Sequence, residues 1–380
     1  MAELNETPRG NRIHIAFFGL RNAGKSTLVN AFTGQNVAIV SDVPGTTTDP
    51  VSKAMEILPL GPCLITDTAG MDDAGELGEQ RVEKSLKVLE STDIAVWVRG
   101  GEDAPAPKEF QDECRRRGTE VIEYRRGDSV EELKKRIAAV KLDDRMPGLL
   151  DGLVKKGDRV LCVVPIDESA PKGRLILPQQ QVIRECLDRG IVVTVCQPDE
   201  LFDCLNFGLF DLSGRLLVVT DSQTFGTVNQ TIKQSNNPTI RLTSFSILFA
   251  RQKGDLDEYR KGLSAIRTLK DGDTVLVAEG CTHHRQCNDI GTVKIPKALE
   301  KLSGRKLKFE FASGGAFEIK QSNNQTIKQF SLVIHCGGCM LTRREMLRRI
   351  GLAKESGIPI VNYGLVLALA NGLKAEDVLI

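Results

Sequence analysis

Apolar residues in the first third of the chain fall into short runs that alternate with stretches of helical periodicity. Ile13 to Gly19 is a strand-length apolar run ending in glycine, and a helical pattern follows from Lys25 to Phe32. Two more apolar runs, Cys63 to Thr66 and Ile94 to Val98, flank the helical pattern Gln80 to Leu89. Strands that alternate with helices predict a parallel, doubly wound sheet.

The same alternation continues through the rest of the chain. The apolar runs that predict further strands are Arg159 to Val164, Ile191 to Val195, Arg215 to Val219, Thr274 to Ala278 and Phe330 to His335. The helical patterns are Val130 to Val140, Gln179 to Arg189, Leu256 to Leu269 and Thr342 to Ala353. We therefore predict three α/β domains with parallel sheets, at residues 1–148, 149–253 and 254–380.

Two polar segments share nearly the same text. NQTIKQ occurs at Asn229 to Gln234 and at Asn324 to Gln329, and IKQSNN occurs at Ile232 to Asn237 and at Ile319 to Asn324. Such a composition has little apolar surface to offset the entropy of ordering, so both segments are predicted to be exposed loops.

Composition narrows the setting. The 380 residues include 51 Lys and Arg against 50 Asp and Glu, which gives no argument for nucleic acid or acidic lipid as a partner. The longest apolar stretch, Ile358 to Leu373, is broken by polar residues and is shorter than the ~20 residues of a membrane span. The first residues do not combine a basic start, an apolar run and a small-residue cleavage site, so no secretion signal is expected. We expect a cytoplasmic protein with no membrane or nucleic-acid partner.

The turn after the first strand fits the pattern G-x-x-x-x-G-K-S from Gly19 to Ser26. Its glycines let main-chain N–H groups approach the phosphates, its lysine neutralises phosphate charge, and its serine binds Mg²⁺. The nucleotide-binding residues predicted here are Gly19, Asn22, Ala23, Gly24, Lys25, Ser26 and Thr27.

Two further motifs follow in the order that a nucleotide switch requires. Gly45 to Asp49 (GTTTD) offers a threonine to Mg²⁺, and Asp67 to Gly70 (DTAG) follows the next parallel strand. Asp67 is expected to hold Mg²⁺ through water, and Gly70 to offer its N–H to the γ-phosphate. The first domain is thus predicted to be a P-loop GTPase domain.

These residues resemble the GTPases of the Era, EngA and MnmE group. The resemblance implies that Thr47 binds Mg²⁺, that Asn22 helps to bind K⁺, and that Lys25, Thr47 and Gly70 act in hydrolysis. Met71 stands where Ras-like proteins keep a glutamine that orients water, so hydrolysis is expected to be slow and to depend on the cation or a partner.

The motif that reads guanine, Asn-Lys-x-Asp, does not occur. Arg125 to Asp128, after the predicted strand Thr119 to Tyr124, is the nearest candidate, and Asp128 could accept hydrogen bonds from guanine. The preference for GTP over ATP therefore rests on the resemblance.

Cysteine is used in two ways. Six of the 10 cysteines stand singly in apolar or mixed surroundings and are predicted to be small buried residues: Cys63, Cys114, Cys162, Cys186, Cys196 and Cys204. The other four cluster late in the chain with three of the 4 histidines. Three of these cysteines and two of these histidines form the segments Cys281-Thr282-His283 and His335-Cys336-Gly337-Gly338-Cys339, while His284 and Cys287 lie outside this motif. Each segment follows a predicted strand. The spacing suits zinc, or a [4Fe–4S] cluster with three cysteine ligands, and leaves open that no metal is bound.

The Cys-x-His and His-Cys-x-x-Cys segments, behind a GTPase domain with PGTTTDP and DTAG, resemble the HydF family of [FeFe]-hydrogenase maturation GTPases. Thr220 to Gln223, Leu242 to Arg251 and His335 to Leu341 match as well. The resemblance implies a GTPase domain, a dimerisation domain and a domain that binds a [4Fe–4S] cluster through Cys281, Cys336 and Cys339. His283 or His335 is then the candidate for an exchangeable fourth ligand.

The same resemblance implies a homodimer that assembles and delivers the diiron subcluster precursor to the [FeFe]-hydrogenase apoprotein, with the radical-SAM maturases as further partners. The alternative is a zinc-stabilised, cation-dependent GTPase of ribosome or tRNA maturation, against which the balanced charge and the lack of a basic, aromatic face argue. A redox enzyme is the third possibility, but no second cofactor site is evident.

Overall fold

The computed structural model divides into two compact units, residues 1–145 and 146–380. It describes residues 7, 9–34, 51–72, 76–100, 104–142, 146–166, 173, 175–206, 215–280, 289–314, 317 and 330–379.

The first unit is built on one sheet. Its elements are β1 (Ile13–Phe18), α1 (Lys25–Thr33), β2 (Val51–Ile57), β3 (Gly61–Asp67), α2 (Glu76–Leu89), β4 (Ile94–Arg99), α3 (Lys108–Arg117), β5 (Glu120–Arg125) and α4 (Val130–Ala138). The strands lie in the order β2-β3-β1-β4-β5. All neighbours are parallel except β2, which pairs antiparallel with β3.

Helices cover both faces of this sheet because its central strands are apolar on both sides. Successive side chains of a strand point to opposite faces. Phe17 therefore packs with Phe32 of α1 on one face, while Phe18 packs with Trp97 and Phe110 on the other. The doubly wound sheet predicted from the alternating pattern is confirmed.

The second unit begins with a sheet of four parallel strands. Its elements are β6 (Arg159–Val163), α5 (Leu177–Asp188), β7 (Val192–Cys196), α6 (Leu201–Asn206), β8 (Leu216–Thr220), α7 (Phe225–Gln234), β9 (Arg241–Ser244) and α8 (Phe245–Lys253). The strand order is β7-β6-β8-β9. All three pairings are parallel.

A second parallel sheet follows in the same unit. Its elements are α9 (Leu256–Ala265), β10 (Thr274–Glu279), a π-helical turn (Ile290–Lys294), α10 (Ile295–Ser303), β11 (Lys308–Ser313), β12 (Leu332–His335), α11 (Arg343–Glu355), β13 (Ile360–Asn362), α12 (Tyr363–Ala370) and α13 (Ala375–Leu379). The order β11-β10-β12-β13 repeats the topology of the preceding sheet. The predicted fold class is confirmed.

The two sheets of this unit share one hydrophobic core. Leu161 and Val218 of the first sheet belong to the same buried cluster as Val277 and Val366 of the second part. At the far end of the chain, the carbonyl of Val378 in α13 accepts a hydrogen bond of 3.1 Å from the Thr243 hydroxyl of β9. Residues 146–380 therefore fold around a common interior.

The prediction of an exposed loop at the first polar repeat is wrong. Residues 229–234 form the last turns of α7, and the buried side chains of Phe225 and Val228 anchor this helix to the core. Ile232 packs partly against the same core, so apolar positions recur at the spacing of a helix. The composition of the repeat obscured this spacing because Phe225 and Val228 precede it. The second copy of the repeat lies outside the described residues.

Two further expectations concern burial. The apolar stretch from Ile358 onward forms β13 and α12, whose residues pack into the shared core. The six single cysteines are all buried, as predicted. Among the helices in the described ranges, none combines the length and apolar character needed to cross a bilayer.

Replacing Phe225 by Ala should destabilise the protein by about 3–5 kcal/mol, because it removes a large, fully buried side chain by which α7 packs into the shared hydrophobic core. Chemical denaturation monitored by circular dichroism measures this difference. The matched control is Gln230→Ala on the exposed side of the same helix, which should change stability by less than about 0.5 kcal/mol. Equal losses of stability in the two variants would contradict the burial of Phe225 and the exposure of Gln230 in α7.

Candidate functional site

The loop from β1 to α1 has the tight geometry of a phosphate-binding loop. Gly19 has φ +155°, and a Cβ there would lie 2.6 Å from the Val98 carbonyl oxygen, so only glycine fits. Gly24, directly before α1, has φ +91°. Lys25 is buried, and its Nζ donates hydrogen bonds to the carbonyls of Gly19 (3.2 Å) and Leu20 (2.8 Å). The loop thus wraps around its own lysine at the N-terminus of α1.

A pair of oxygen ligands lies beside this loop. The Ser26 hydroxyl, in the first turn of α1, donates a hydrogen bond of 2.6 Å to Oδ2 of Asp67, the last residue of β3. The other carboxylate oxygen of Asp67 is buried and has no hydrogen-bond partner among the described residues. Burial raises the pKa of Asp67, against the opposing effect of the Ser26 hydrogen bond and the Lys25 charge.

This donor set fits Mg²⁺. Hydroxyl and carboxylate oxygens are the ligands that Mg²⁺ takes, usually one or two from the protein with phosphate oxygens completing the shell. A buried carboxylate whose second oxygen lacks a partner is costly unless a cation is bound nearby. Ser26 and Asp67 would hold the ion, which supplies positive charge to the phosphate oxygens.

The DTAG segment packs directly on the phosphate-binding loop. A Cβ on Gly70 would lie 3.0 Å from the main chain of Arg21, and the Met71 N–H donates to the Gly19 carbonyl (3.2 Å). Asp72 in turn accepts a hydrogen bond from the Arg21 N–H. The Met71 side chain packs against the hydrophobic cluster that contains Phe18, so no polar group at this position orients water.

The remaining predicted nucleotide residues fall in different surroundings. Asn22 is exposed and has φ +60°, a left-handed conformation that asparagine tolerates. Ala23 is buried, and Thr27 is exposed on the first turn of α1. Asp128 is exposed after β5, where its carboxylate accepts a hydrogen bond of 3.1 Å from the Arg125 N–H. Thr47 lies outside the described residues.

A second candidate site lies at the carboxyl ends of β10 and β12. The strand that follows β10 lies on one side of it and β12 lies on the other, and in such sheets this divergence opens a crevice for ligands. The Cys336 N–H extends the ladder to the Ala278 carbonyl (2.9 Å). The Gly280 N–H donates to the Cys336 sulfur at 3.1 Å, and the Gly338 N–H does so at 3.4 Å.

These contacts bring the two cysteine-bearing segments together as far as the described residues reach. Gly280 is covalently joined to Cys281, which itself lies outside the described residues together with His283. Cys336 and Cys339 are both partly buried. Burial raises the pKa of the Cys339 thiol to about 11. Among the residues that the structure describes, no group of three or more metal-binding side chains occurs.

His335 does not present a free nitrogen to this site. Its Nδ1 lies 2.8 Å from the Cys336 carbonyl oxygen, and its Nε2 lies 3.0 Å from Nη1 of Arg349. Since guanidinium only donates, Nε2 is the acceptor and Nδ1 carries the proton. Complete burial, together with the Arg349 charge, lowers the pKa of His335 to about 4. The prediction that His335 is a possible fourth ligand therefore disagrees with this geometry, in which both ring nitrogens are engaged.

Arg349 ties together the strand ends around the cysteines. Its guanidinium is buried on α11 and pairs with Glu345 at 2.8 Å. It also donates to the carbonyls of Glu279 at the end of β10 and Gly314 after β11. The ring of Phe317 lies 5.0 Å from the guanidinium carbon. With His335, this network reaches the ends of three adjacent strands.

The described residues fit an iron–sulfur cluster as far as they extend. Two partly buried thiols, those of Cys336 and Cys339, are separated by two residues in the sequence, and main-chain N–H groups point at the sulfur of Cys336, as in cluster sites. The Tyr259 hydroxyl is fully buried and has no hydrogen-bond partner among the described residues. Burial, and then the nearby Cys336, raises the pKa of this tyrosine. Cys336 and Cys339 would be two of the ligands of such a cluster. The chemistry that the cluster would supply is ligand exchange at the iron that has no cysteine ligand.

Sequence reasoning missed the buried charges that support this site. Arg349 falls on the same helical face as Met346, Ile350 and Ala353, all of them buried. The sequence signal that could have predicted its burial is a charged residue at a position where the helical periodicity places apolar residues. Lys253 is also buried, at the end of α8, and its neighbours in sequence give no comparable signal.

Family comparisons divide the chain into three parts. A model described as a 50S ribosome-binding GTPase matches residues 14–133. Residues 149–254 match the hydrogen maturase F dimerization domain, and residues 257–378 match the hydrogen maturase F tetramerization domain. The chain belongs to the hydrogen maturase F family. The predicted resemblance and the predicted GTPase domain are confirmed, whereas tetramerization was not predicted from the sequence of the last third.

Individual relatives of this hydrogen maturase F chain match the GTPase domain. The tRNA modification GTPase MnmE of Zymomonas mobilis is 36% identical over 94 residues, which are 24% of this chain and 21% of the relative. GTPase Der of Campylobacter hominis is 35% identical over 95 residues, 25% of this chain and 20% of the relative. The chain thus matches about a fifth of the length of each of these curated relatives.

A solved structure of Era from Aquifex aeolicus, bound to GDP and AlF4⁻, aligns over 80% of this chain and 94% of that chain. Its sequence identity is 16% and its TM-score is 0.26.

Replacing Asp67 by Asn should abolish most of the Mg²⁺ dependence of nucleotide binding, because the amide removes the negative charge next to Ser26. Loss of metal affinity on the order of 10–100-fold is expected. Titration of a fluorescent GTP analogue, with Mg²⁺ and with EDTA, measures this dependence. Asp112→Asn, which changes an exposed carboxylate on α3, is the matched control. An unchanged Mg²⁺ response in Asp67→Asn would rule out the assigned ligand.

Proposed function

We propose that this chain is a slow GTP hydrolase and a [4Fe–4S] scaffold that assembles the diiron subcluster precursor and delivers it to apo [FeFe]-hydrogenase. The observation that carries the proposal is the contact of 3.1 Å between the Gly280 N–H and the Cys336 sulfur. It joins the segment that leads into Cys281 to the Cys-x-x-Cys loop. Membership of the hydrogen maturase F family supports the same function.

The nucleotide half of the proposal uses the phosphate-binding loop. Lys25, Thr47 and Gly70 act on the γ-phosphate, and Ser26 with Asp67 binds Mg²⁺. GTP rather than ATP is proposed because MnmE and Der, the relatives of this domain, are GTPases by name. Asp128 is the candidate contact to guanine. Hydrolysis is slow because the Met71 thioether cannot orient water.

The cluster half uses three thiolates, from Cys281, Cys336 and Cys339. A cluster with three cysteine ligands keeps one iron whose fourth ligand can be exchanged. His283 is our candidate for that position, since both ring nitrogens of His335 are bonded to protein groups. Because the fourth ligand of this iron can be exchanged, a precursor bound there can be released. The nucleotide state of the GTPase domain would determine which partner protein binds.

We also propose a cytoplasmic homodimer with domains at 1–148, 149–253 and 254–380. Its partners are the hydrogenase apoprotein and the radical-SAM maturases, and nucleic acid is not among them. The dimerization domain exposes apolar side chains on its edge strand β7, where Val192 is 58% and Val195 45% exposed. An exposed apolar edge strand is a template for pairing with another chain.

Protein purified without oxygen should be brown and contain iron and acid-labile sulfide. Cys336→Ala should remove the iron and leave binding of a GTP analogue unchanged, because the thiol and the phosphate-binding loop belong to different units. Lys25→Ala should do the reverse. Absorption spectra, metal analysis and analogue titration measure the three properties.

The control for this pair is Cys196→Ala, which removes a buried thiol of the dimerization domain and should retain iron. Colourless protein with stoichiometric zinc would exclude the scaffold and favour the zinc-stabilised GTPase. Loss of both properties in either variant would contradict the separation of the two activities.

Hydrolysis should be faster in potassium than in sodium at the same ionic strength, because we assign to Asn22, which is exposed, the binding of a monovalent cation that the resemblance to the MnmE group implies. Phosphate release under each salt measures the rates. Asn22→Ala should remove the difference between the salts. Equal rates for the native chain in both salts would exclude the role given to Asn22.

A further inference from the structure

The loop that carries Cys336 and Cys339 is held by one buried lysine. Lys253 is the last residue of α8 and has no exposed surface. Its Nζ donates hydrogen bonds to the carbonyls of Gly338 (3.2 Å), Cys339 (3.1 Å) and Leu341 (2.7 Å). Three carbonyl acceptors use all three N–H bonds of an ammonium group, so Lys253 is charged in this arrangement.

Among the described residues, no carboxylate forms an ion pair with this positive charge. Within the described parts of the chain, no salt bridge involves Lys253; the Phe249 ring, 5.3 Å away, is its other close contact. An ammonium without a counter-ion is expensive to bury, even when its hydrogen bonds are complete. Burial accordingly lowers the pKa of Lys253 to about 8, and the nearby thiols of Cys339 and Cys336 act in the opposite direction. Among the described residues, the groups near this ammonium that would become negative are the sulfurs of Cys339 and Cys336, once they bind a metal as thiolates.

The whole length of α8 supports the same loop. At its start, a Cβ on Gly337 would lie 3.3 Å from Ser246, which shows how closely the loop approaches the helix. At its end, the Arg343 guanidinium donates to the Gln252 carbonyl at 2.5 Å. Cys339 itself packs against the buried cluster of the first sheet of this unit, which includes Phe249.

The helix and the loop belong to different family modules. Residues 149–254, which match the dimerization domain, include α8 and Lys253. Residues 257–378, which match the tetramerization domain, include the loop. The cysteine loop is therefore anchored by a residue of the neighbouring module.

We propose that Lys253 is a positioning residue of the cluster, which fixes the main chain of the Cys336–Leu341 loop and supplies a buried positive charge to the cysteine-bound iron. This inference rests on the cluster of the proposed function. The net charge around an iron–sulfur cluster is one of the factors that set its reduction potential. A fixed ammonium beside the sulfurs favours the more reduced, more negative cluster.

The test compares three full-length variants after anaerobic reconstitution with ferrous iron and sulfide. Lys253→Met keeps most of the stem and removes the charge, Lys253→Arg keeps the charge, and Lys261→Met removes an exposed lysine of α9 as the matched control. Two quantities are measured for each protein: the rate of iron release to a ferrous chelator, and the midpoint potential in a dithionite titration with mediators.

Lys253→Met should release iron at least tenfold faster than the native chain, and its midpoint potential should be more negative. Lys253→Arg should keep a potential closer to that of the native chain, and Lys261→Met should match the native chain in both quantities. A merely structural lysine would change iron release without separating the potentials of the Met and Arg variants, so equal potentials overturn the inference. Native release rates in Lys253→Met overturn it as well.

Two outcomes distinguish this inference from the proposed function. If the native chain binds no iron, the proposed function fails; if it binds iron and Lys253→Met behaves like it, only the inference fails. Reductive methylation of the native chain, followed by peptide mass spectrometry, covers the case in which the variants do not fold. Lys253 should remain unmodified while Lys261 is labelled, and labelling of both at the same rate contradicts the buried anchor.

Discussion

Both candidate sites depend on the register between parallel strands that are far apart in sequence. Strand β10 pairs with β12 so that Ala278 faces His335, and β1 pairs with β3 so that Phe17 faces Asp67. Because parallel strands end at the same edge of a sheet, each pairing delivers two loops to one place. A slip of one residue would turn every side chain of the strand to the opposite face and separate the loops.

A buried lysine organises the loop at each of these edges. In the GTPase unit, Lys25 donates to the carbonyls of Gly19 and Leu20 within its own loop. In the second unit, Lys253 does the same for three carbonyls of a loop that belongs to another element. The printed contacts of Lys25 lie within its own loop, whereas the three carbonyls bonded to Lys253 match the three N–H donors of an ammonium group.

The elements that could be predicted from the sequence are those whose own residues show a characteristic spacing or apolar pattern. The phosphate-binding loop was predictable because glycine, lysine and serine must stand at fixed spacing, and the strands because buried β-structure needs runs of apolar residues. Helix α7 was not predicted because the repeat itself is polar, and the buried residues that anchor the helix, Phe225 and Val228, precede the repeat. The engagement of His335 was not predictable because its partner, Arg349, follows 14 residues later on a helix. Such contacts depend on tertiary packing, which no local pattern records.

The shared interior of residues 146–380 has a consequence for how the chain can be divided. The seam between the two hydrogen maturase F modules, at residues 255–256, runs through the middle of one buried cluster and is crossed by Lys253 and by the Thr243 bond to α13. The two modules should therefore unfold in one cooperative transition, because neither sheet can keep its apolar surface buried once the other has unfolded. A chimaera that joins one of these modules to an unrelated domain would therefore need a complementary hydrophobic surface on that domain as well as a suitable linker.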